Sequence, residues 1–142
     1  LKALLAEARQ AFGLAVLVDC HSMPSNPISD QGGARSDFVL GDRYGTSCSG
    51  ELTRAAAQAL KAQGYVVALN KPYAGGYITE HYGRPHAGVH ALQVEVNRAL
   101  YMHEGTFDKS SGFDRIKRDL EGMVRALIAS VPEIAVPRAA AE

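Results

Sequence analysis

The stretch that decides the fold is Leu14-Ala15-Val16-Leu17-Val18-Asp19-Cys20-His21-Ser22-Met23-Pro24-Ser25. Five apolar residues run without a break into an acid, a thiol and an imidazole, and Pro24 interrupts the chain soon afterwards. An unalternating run over Leu14–Asp19 is the pattern of a strand buried on both faces of a parallel sheet. Such a strand delivers His21 to its carboxyl end. In open α/β sheets ligands bind in the crevice outside those ends.

Working outward, Leu1, Leu4, Leu5, Ala8 and Phe12 keep helical spacing until Gly13 stops the helix. A loop rich in Ser, Pro, Gly and Asn occupies His21 to about Ser36. Asp37–Leu40 reads as a short strand, and a polar loop runs from it through Cys48. Ser49 is placed to cap a helix with Glu51 in its first turn and Leu52, Ala55, Ala56 and Leu60 on its apolar face, ending at Gly64. Tyr65–Leu69 is a further buried strand, and Lys71–Gly88 is rich in Gly and Tyr. A strand covers about Val89–Val96, and Phe113, Ile116, Leu120, Met123, Val124, Leu127 and Ile128 mark one helical stripe. From Pro132 the Ala-rich end, 132–142, is expected to be a loosely ordered tail. Helices alternating with short apolar strands predict an α/β fold: a mainly parallel or mixed sheet flanked by helices.

At 142 residues the chain suits one domain, or the C-terminal portion of a larger one. Fifteen basic residues balance fifteen acidic ones, so no overall field favours nucleic acid or an anionic membrane. Apolar runs fall far short of a bilayer span. Two cysteines are too few for a disulfide scaffold, and the first residues lack a signal peptide's pattern, so the expected location is cytoplasmic. Leu1 opens in mid-helix pattern, as in a piece cut from something longer.

His21, preceded by Asp19, is built to be a metal ligand or a general base, or else a hydrogen-bonded loop anchor. In Val89–Asn97, strand alternation puts Gln93, Glu95 and Asn97 on one face. A carboxylate inside such a sheet is costly unless paired or metal-linked, which makes Glu95 a candidate base or ligand. The alternative is an edge strand with a solvated polar face. His81, His86 and His90 cluster in sequence, but Pro85 and Gly88 oppose a helical zinc pair. Gly45-Thr46-Ser47-Cys48-Ser49 has part of a nucleophile elbow without its closing Gly or a strand directly before it, which leaves a serine or cysteine hydrolase as a weak alternative. Gly75-Gly76 reads as a turn that lets a substrate approach the backbone.

Four blocks together resemble the N-formylglutamate amidohydrolase family: Asp19–Ser22, Arg35–Cys48, Asn70–Thr79 and His90–Arg98, with Leu100-Tyr101-Met102 following. The resemblance implies a zinc-exopeptidase-like fold, incomplete at its N-terminus here. It implies that His21 is a zinc ligand and that Glu95 is the base activating water at the zinc. The implied reaction is hydrolysis of the amide of an N-acyl amino acid, N-formyl-L-glutamate giving glutamate and formate. The substrate is a dianion, so it needs planar cations, and Arg35 and Arg43 lie in matching blocks. Asn70, Tyr73, Gly75 and Gly76 would shape the pocket, and Arg98 would partner the strand of Glu95.

Where the family usually has an acid after Tyr-Met, this sequence has His103. The resemblance also places the remaining zinc ligands, a His and an acid, upstream of Leu1. A chain holding the base and one ligand is therefore expected to bind zinc weakly alone and to self-associate through uncovered apolar surface. The competing reading is a non-catalytic fragment or binding domain of the same fold that lacks a complete metal site.

Overall fold

The computed structural model describes residues 1–25 and 35–135, with side chains described as far as 132. Helix α1 (Lys2–Phe12) ends at Gly13, whose φ of 81° is left-handed and whose N–H returns to Arg9 O at 2.9 Å. Strand β1 (Ala15–Met23) follows, then β2 (Phe38–Gly41), helix α2 (Gly50–Ala62) and β3 (Val67–Leu69). A short helix α3 (Tyr77–Tyr82), strand β4 (Val89–Asn97) and helix α4 (Phe113–Ala135) complete the order, with 3-10 turns at Pro85–Ala87 and Arg98–Leu100.

The sheet runs β1-β4-β2-β3. β1 is parallel to β4, β2 is antiparallel to β4, and β3 is parallel to β2. It is a mixed sheet, flanked by helices as expected. β1 differs from the sequence reading in two details. β1 continues through His21 to Met23, so His21 is the seventh of nine strand residues rather than a loop residue beyond the strand. β1 is also an edge of the described sheet and only half-buried, because β4 is its one partner there.

The polar-alternating strand, by contrast, is central. All of β4 from His90 to Asn97 is buried, so the solvated-edge reading of Gln93, Glu95 and Asn97 is overturned. Register explains how one strand serves two faces. Leu92, Val94 and Val96 pair in line with Val18, Cys20 and Ser22 on β1, and Val94 and Val96 also with Leu40 and Phe38 on β2. This face meets α2 and α4 through Leu52, Ala56, Leu60, Ile116, Met123 and Leu127. Phe38 and Tyr65 close the core edge to face, with ring centroids 4.9 Å apart. The opposite face carries Asp19, His21, Gln93 and Glu95.

α2 starts as expected, with Ser49 Oγ accepting from Leu52 N–H. α3 was not expected: six residues between Gly76 and Gly83 are too few to show a helical period. α4 carries on past Pro132 to Ala135, so the helix does not stop at the proline. Residues 136–142 of the expected tail lie outside the described residues. The apolar residues of α1 are largely exposed, and none is buried. No described helix is long and apolar enough to cross a membrane.

His90 is not a metal candidate here. It is buried against α2, and its Nδ1 accepts the Ser49 N–H at 3.2 Å. Burial lowers its pKa, opposed weakly by the charge of Glu51. The native imidazole therefore stays neutral to lower pH than in the unfolded chain, where it protonates near pH 6.5. Its contribution is complete above that value and is lost on acidification. His90→Asn, whose side-chain oxygen can accept the same N–H, is expected to flatten the fall in urea midpoint between pH 7.5 and 5. An unchanged slope would place the acid sensitivity elsewhere.

Candidate active site

His21 and Glu95 are direct partners in the β1–β4 register. In a parallel pair this puts both side chains on one face, and His21 Nδ1 lies 4.0 Å from Glu95 Oε1. The other ring nitrogen, Nε2, is 3.0 Å from Asp19 Oδ2, two residues back on the same strand. Two sequence candidates far apart in the chain thus converge. Their exposures differ sharply: the His21 side chain is 47% accessible, and the Glu95 side chain 8%.

A buried carboxylate needs partners, and Gln93 supplies one. Its Nε2 donates to Glu95 Oε1 at 2.8 Å, while its own Oε1 accepts the Gly76 N–H at 2.8 Å. A carboxamide can donate through its nitrogen while accepting through its oxygen. Gln93 therefore ties the carboxylate to the glycine turn. Sequence reading placed Gln93 on the correct face but assigned it no part in the site.

The turn reaches the sheet because of Gly41. A Cβ on Gly41 would lie 2.7 Å from both Ala74 C and Gly75 N, backbone atoms that cannot yield cheaply. Since β2 is antiparallel to β4, its loop leaves at Gly41 opposite Gln93, and so crosses the face of the sheet. Because β1 and β2 run opposite ways against β4, His21 and this loop approach from different ends of the sheet.

Loop 42–45 is held by a reciprocal clasp. Asp42 is buried and accepts from Asn70 Nδ2 (2.8 Å), Thr53 Oγ1 (2.9 Å) and Gly45 N (3.0 Å). Asn70 Oδ1 in turn accepts from Asp42 N (3.1 Å) and Tyr44 N (3.3 Å). Both ends of the Asn70 amide are thus engaged by the loop. The clasp holds Arg43 and Tyr44 at φ of 52° and 57°, left-handed values unfavourable for residues with side chains. Arg43 N donates to Ala74 O (2.7 Å), and its Nη1 donates to Gly75 O at 3.3 Å. Its Nη2 pairs with Glu80 Oε1 of α3 at 3.1 Å.

The remaining candidates divide as follows. Tyr73 is half-buried in the segment before the glycine turn, and Arg35 is exposed ahead of β2. Arg98 bonds Ser22 of β1 through Nε at 3.2 Å, tying the edge strand to the turn after β4. Glu104, next to His103, accepts from both the N–H and the hydroxyl of Ser25. Those bonds hold its carboxyl below the usual pKa. His81 stacks on Tyr77, with centroids 5.0 Å apart, and His86 is exposed in a 3-10 turn, so neither joins His90. Cys48 is fully buried, and burial pushes its thiol up to about 12. Ser47 Oγ donates to Ala91 O at 2.9 Å. A protonated thiol and an engaged hydroxyl do not make a nucleophile elbow, which argues against a serine or cysteine hydrolase.

Metal chemistry can be tested on the donor set. The Asp19 contact at Nε2 leaves Nδ1 as the His21 lone pair facing Glu95, the orientation a carboxylate gives to a metal-binding imidazole. The carboxylates lie against opposite nitrogens of the ring, however. Among the described residues no three His, Cys, Asp or Glu side chains gather to hold a metal. His21 fits as one ligand of a set, not as a site.

Fold and face together define a mixed α/β domain with an imidazole–carboxylate pair under a glycine turn and an arginine beside that turn. The chain belongs to the N-formylglutamate amidohydrolase family, whose model matches residues 1–102. It is 42% identical over 101 residues to the N-formylglutamate deformylase of Pseudomonas aeruginosa, and 40% identical over 101 residues to that of Pseudomonas putida. Each match covers 70% of this chain, which spans 38% of the length of those relatives. A crystal structure of N-formylglutamate amidohydrolase from Ralstonia eutropha JMP134 superposes with a TM-score of 0.84 at 34% identity, covering 94% of this chain and 48% of that one.

Gly41→Ala is the sharpest test of the loop packing. Overpacking of this kind costs about 1–3 kcal/mol. The variant is expected to melt at lower temperature and to shift the Gly76 amide resonance as its bond to Gln93 is disturbed. A native melting temperature with an unmoved Gly76 resonance would show that the turn does not rest on Gly41.

Proposed function

We propose that the chain carries the general base and one metal ligand of an amidohydrolase that cleaves N-formyl-L-glutamate to glutamate and formate. The observation that carries this reading is the 4.0 Å approach of His21 to a buried Glu95, with Asp19 behind the ring. The deformylase names of the Pseudomonas relatives support the substrate. Zinc is the metal the family resemblance implies, with His21 as the ligand from this chain and the others from outside the described residues. When bound, such an ion supplies Lewis acidity, acidifying water and polarising the formyl carbonyl.

The chain's own residues then have distinct tasks. Glu95 takes a proton from the attacking water and returns it to the amine nitrogen as the C–N bond breaks. Gln93 holds Glu95 Oε1, the oxygen 4.0 Å from His21 Nδ1, and so fixes the carboxylate beside the ring. Asp19 keeps the His21 ring in one tautomer and orientation. Arg43, with Arg35 as a second cation, receives the carboxylates of the substrate. Asn70 acts through loop 42–45, and Tyr73 with the Gly75-Gly76 turn shapes the wall.

In an intact protein carrying this domain, Glu95→Gln is expected to reduce turnover by at least about 10²–10⁴-fold, the usual range for losing a general base. Zinc content should stay near that of the unsubstituted protein. Loss of zinc in step with activity would make Glu95 a ligand, and retained turnover would remove it from the mechanism.

The competing reading, a non-catalytic domain of this fold, is separated by comparing the chain alone with an intact protein that carries it. Residues 1–142 alone are expected to hold less than stoichiometric zinc after dialysis and to leave N-formylglutamate intact, because one imidazole cannot replace a three-ligand set. Elemental analysis and a formate assay check this. Stoichiometric zinc with turnover would show the metal site complete within these residues, whereas an intact protein that also lacked both would favour the non-catalytic reading.

A further inference from the structure

Building on that reading of Arg43, we infer that Glu80 is an internal stand-in for the substrate carboxylate, held on Arg43 until substrate displaces it. Glu80 lies on α3, outside every residue assigned above to catalysis or binding. Its Oε1 sits 3.1 Å from Arg43 Nη2, so it fills a position on the guanidinium fork that an incoming carboxylate would need.

The pair is mechanically unequal. Arg43 is fixed from several sides: its N–H is bonded to Ala74 O, its Nη1 to Gly75 O, and its φ of 52° is imposed by the Asp42–Asn70 clasp. Its Cγ also lies where a Cβ on Gly75 would come within 3.1 Å, so the stem lies close along the turn. Its side chain is 33% accessible. Glu80 is 63% accessible at the end of a flexible stem, and its carboxylate meets the cation from the solvent side. Displacement would move the carboxylate and leave the arginine where it is.

Energetics favour a weak placeholder. Exposed ion pairs are worth little, and Glu80 can leave into water with its charge fully solvated. A free Arg43 would present an unneutralised cation to any small anion, whereas a paired one admits only ligands that out-compete a monodentate carboxylate. A dianionic substrate able to engage the fork bidentately meets that condition. Glu80 also adds a negative charge beside the turn, which penalises dianions while it remains there. Glu80 thus tunes affinity and selectivity for carboxylates without touching the bond that breaks.

The test is the affinity of the chain for N-formyl-L-glutamate and for its diamide, measured by titration calorimetry in the unsubstituted chain, Glu80→Gln, Arg43→Gln and Arg43→Lys. Glu80→Gln should bind the dianion about two- to five-fold tighter, equivalent to roughly 0.4–1 kcal/mol, and bind the diamide unchanged. Arg43→Gln should weaken the dianion, with partial recovery in Arg43→Lys, which keeps the charge and guards against misfolding of the neutral variant. If Glu80→Gln binds the dianion no better while both Arg43 variants weaken it, the placeholder role is overturned and the reading of Arg43 stands. If both Arg43 variants bind as the unsubstituted chain does, both ideas fall together.

Discussion

The register of β1 against β4 is the constraint on which the candidate site depends. His21 meets Glu95, and Asp19 meets Gln93, because the two strands run parallel in that alignment. Side chains alternate with a period of two, so a slip of one residue would send His21 to the helix-packed face and put Cys20 or Ser22 opposite the carboxylate. Hydrophobic burial resists the slip on the other face, where Leu92, Val94 and Val96 belong to the core beneath α2 and α4. Packing against two helices on one face thereby sets the alignment of the groups on the other.

From that pair, contacts extend across the face without a gap. Asp19 meets His21, His21 approaches Glu95, Glu95 accepts from Gln93, and Gln93 accepts from Gly76. Gly75 O accepts from Arg43, and Arg43 pairs with Glu80. The chain of partners also accounts for how β4 keeps polar residues in a central strand. Burying Glu95 is costly only while it lacks partners, and Asn97 likewise donates to Ser36 O and accepts from Ala99 N–H. A polar face of this kind is stable when its members satisfy one another.

That mutual satisfaction is also why the sequence was legible in some places and opaque in others. His21 and Glu95 stood out because each interrupts an apolar pattern with a group that is expensive to bury, and the four-block resemblance pointed to the same two. The helix caps at Gly13 and Ser49 were readable because capping is local. Strand order was not. An alternating polar strand has the same pattern at a solvated edge and in a satisfied interior, and the difference lies in partners as distant in sequence as Ser36 and Gly76. Asn70 illustrates the same limit. It was read as a pocket residue, but its amide is engaged at both ends by a loop 26 to 28 residues away. The Arg43–Glu80 pair likewise depends on α3, which six residues between glycines could not announce.

The unequal exposure of the central pair fits its proposed division of labour. A ligand for a metal must present a lone pair to an open side, and His21 does so from an edge strand with Asp19 fixing the ring from behind. A base must avoid bulk water that would compete for its proton, and Glu95 sits one strand inward, covered by β2 and by the turn that Gln93 holds down. Parallel pairing of an edge strand with a central one produces both environments within 4.0 Å. With His21 still opposite Glu95, an antiparallel edge would have set Asp19 opposite Asn97 rather than Gln93. Of the two parallel steps in the mixed sheet, the one between β1 and β4 is the one the proposed chemistry uses.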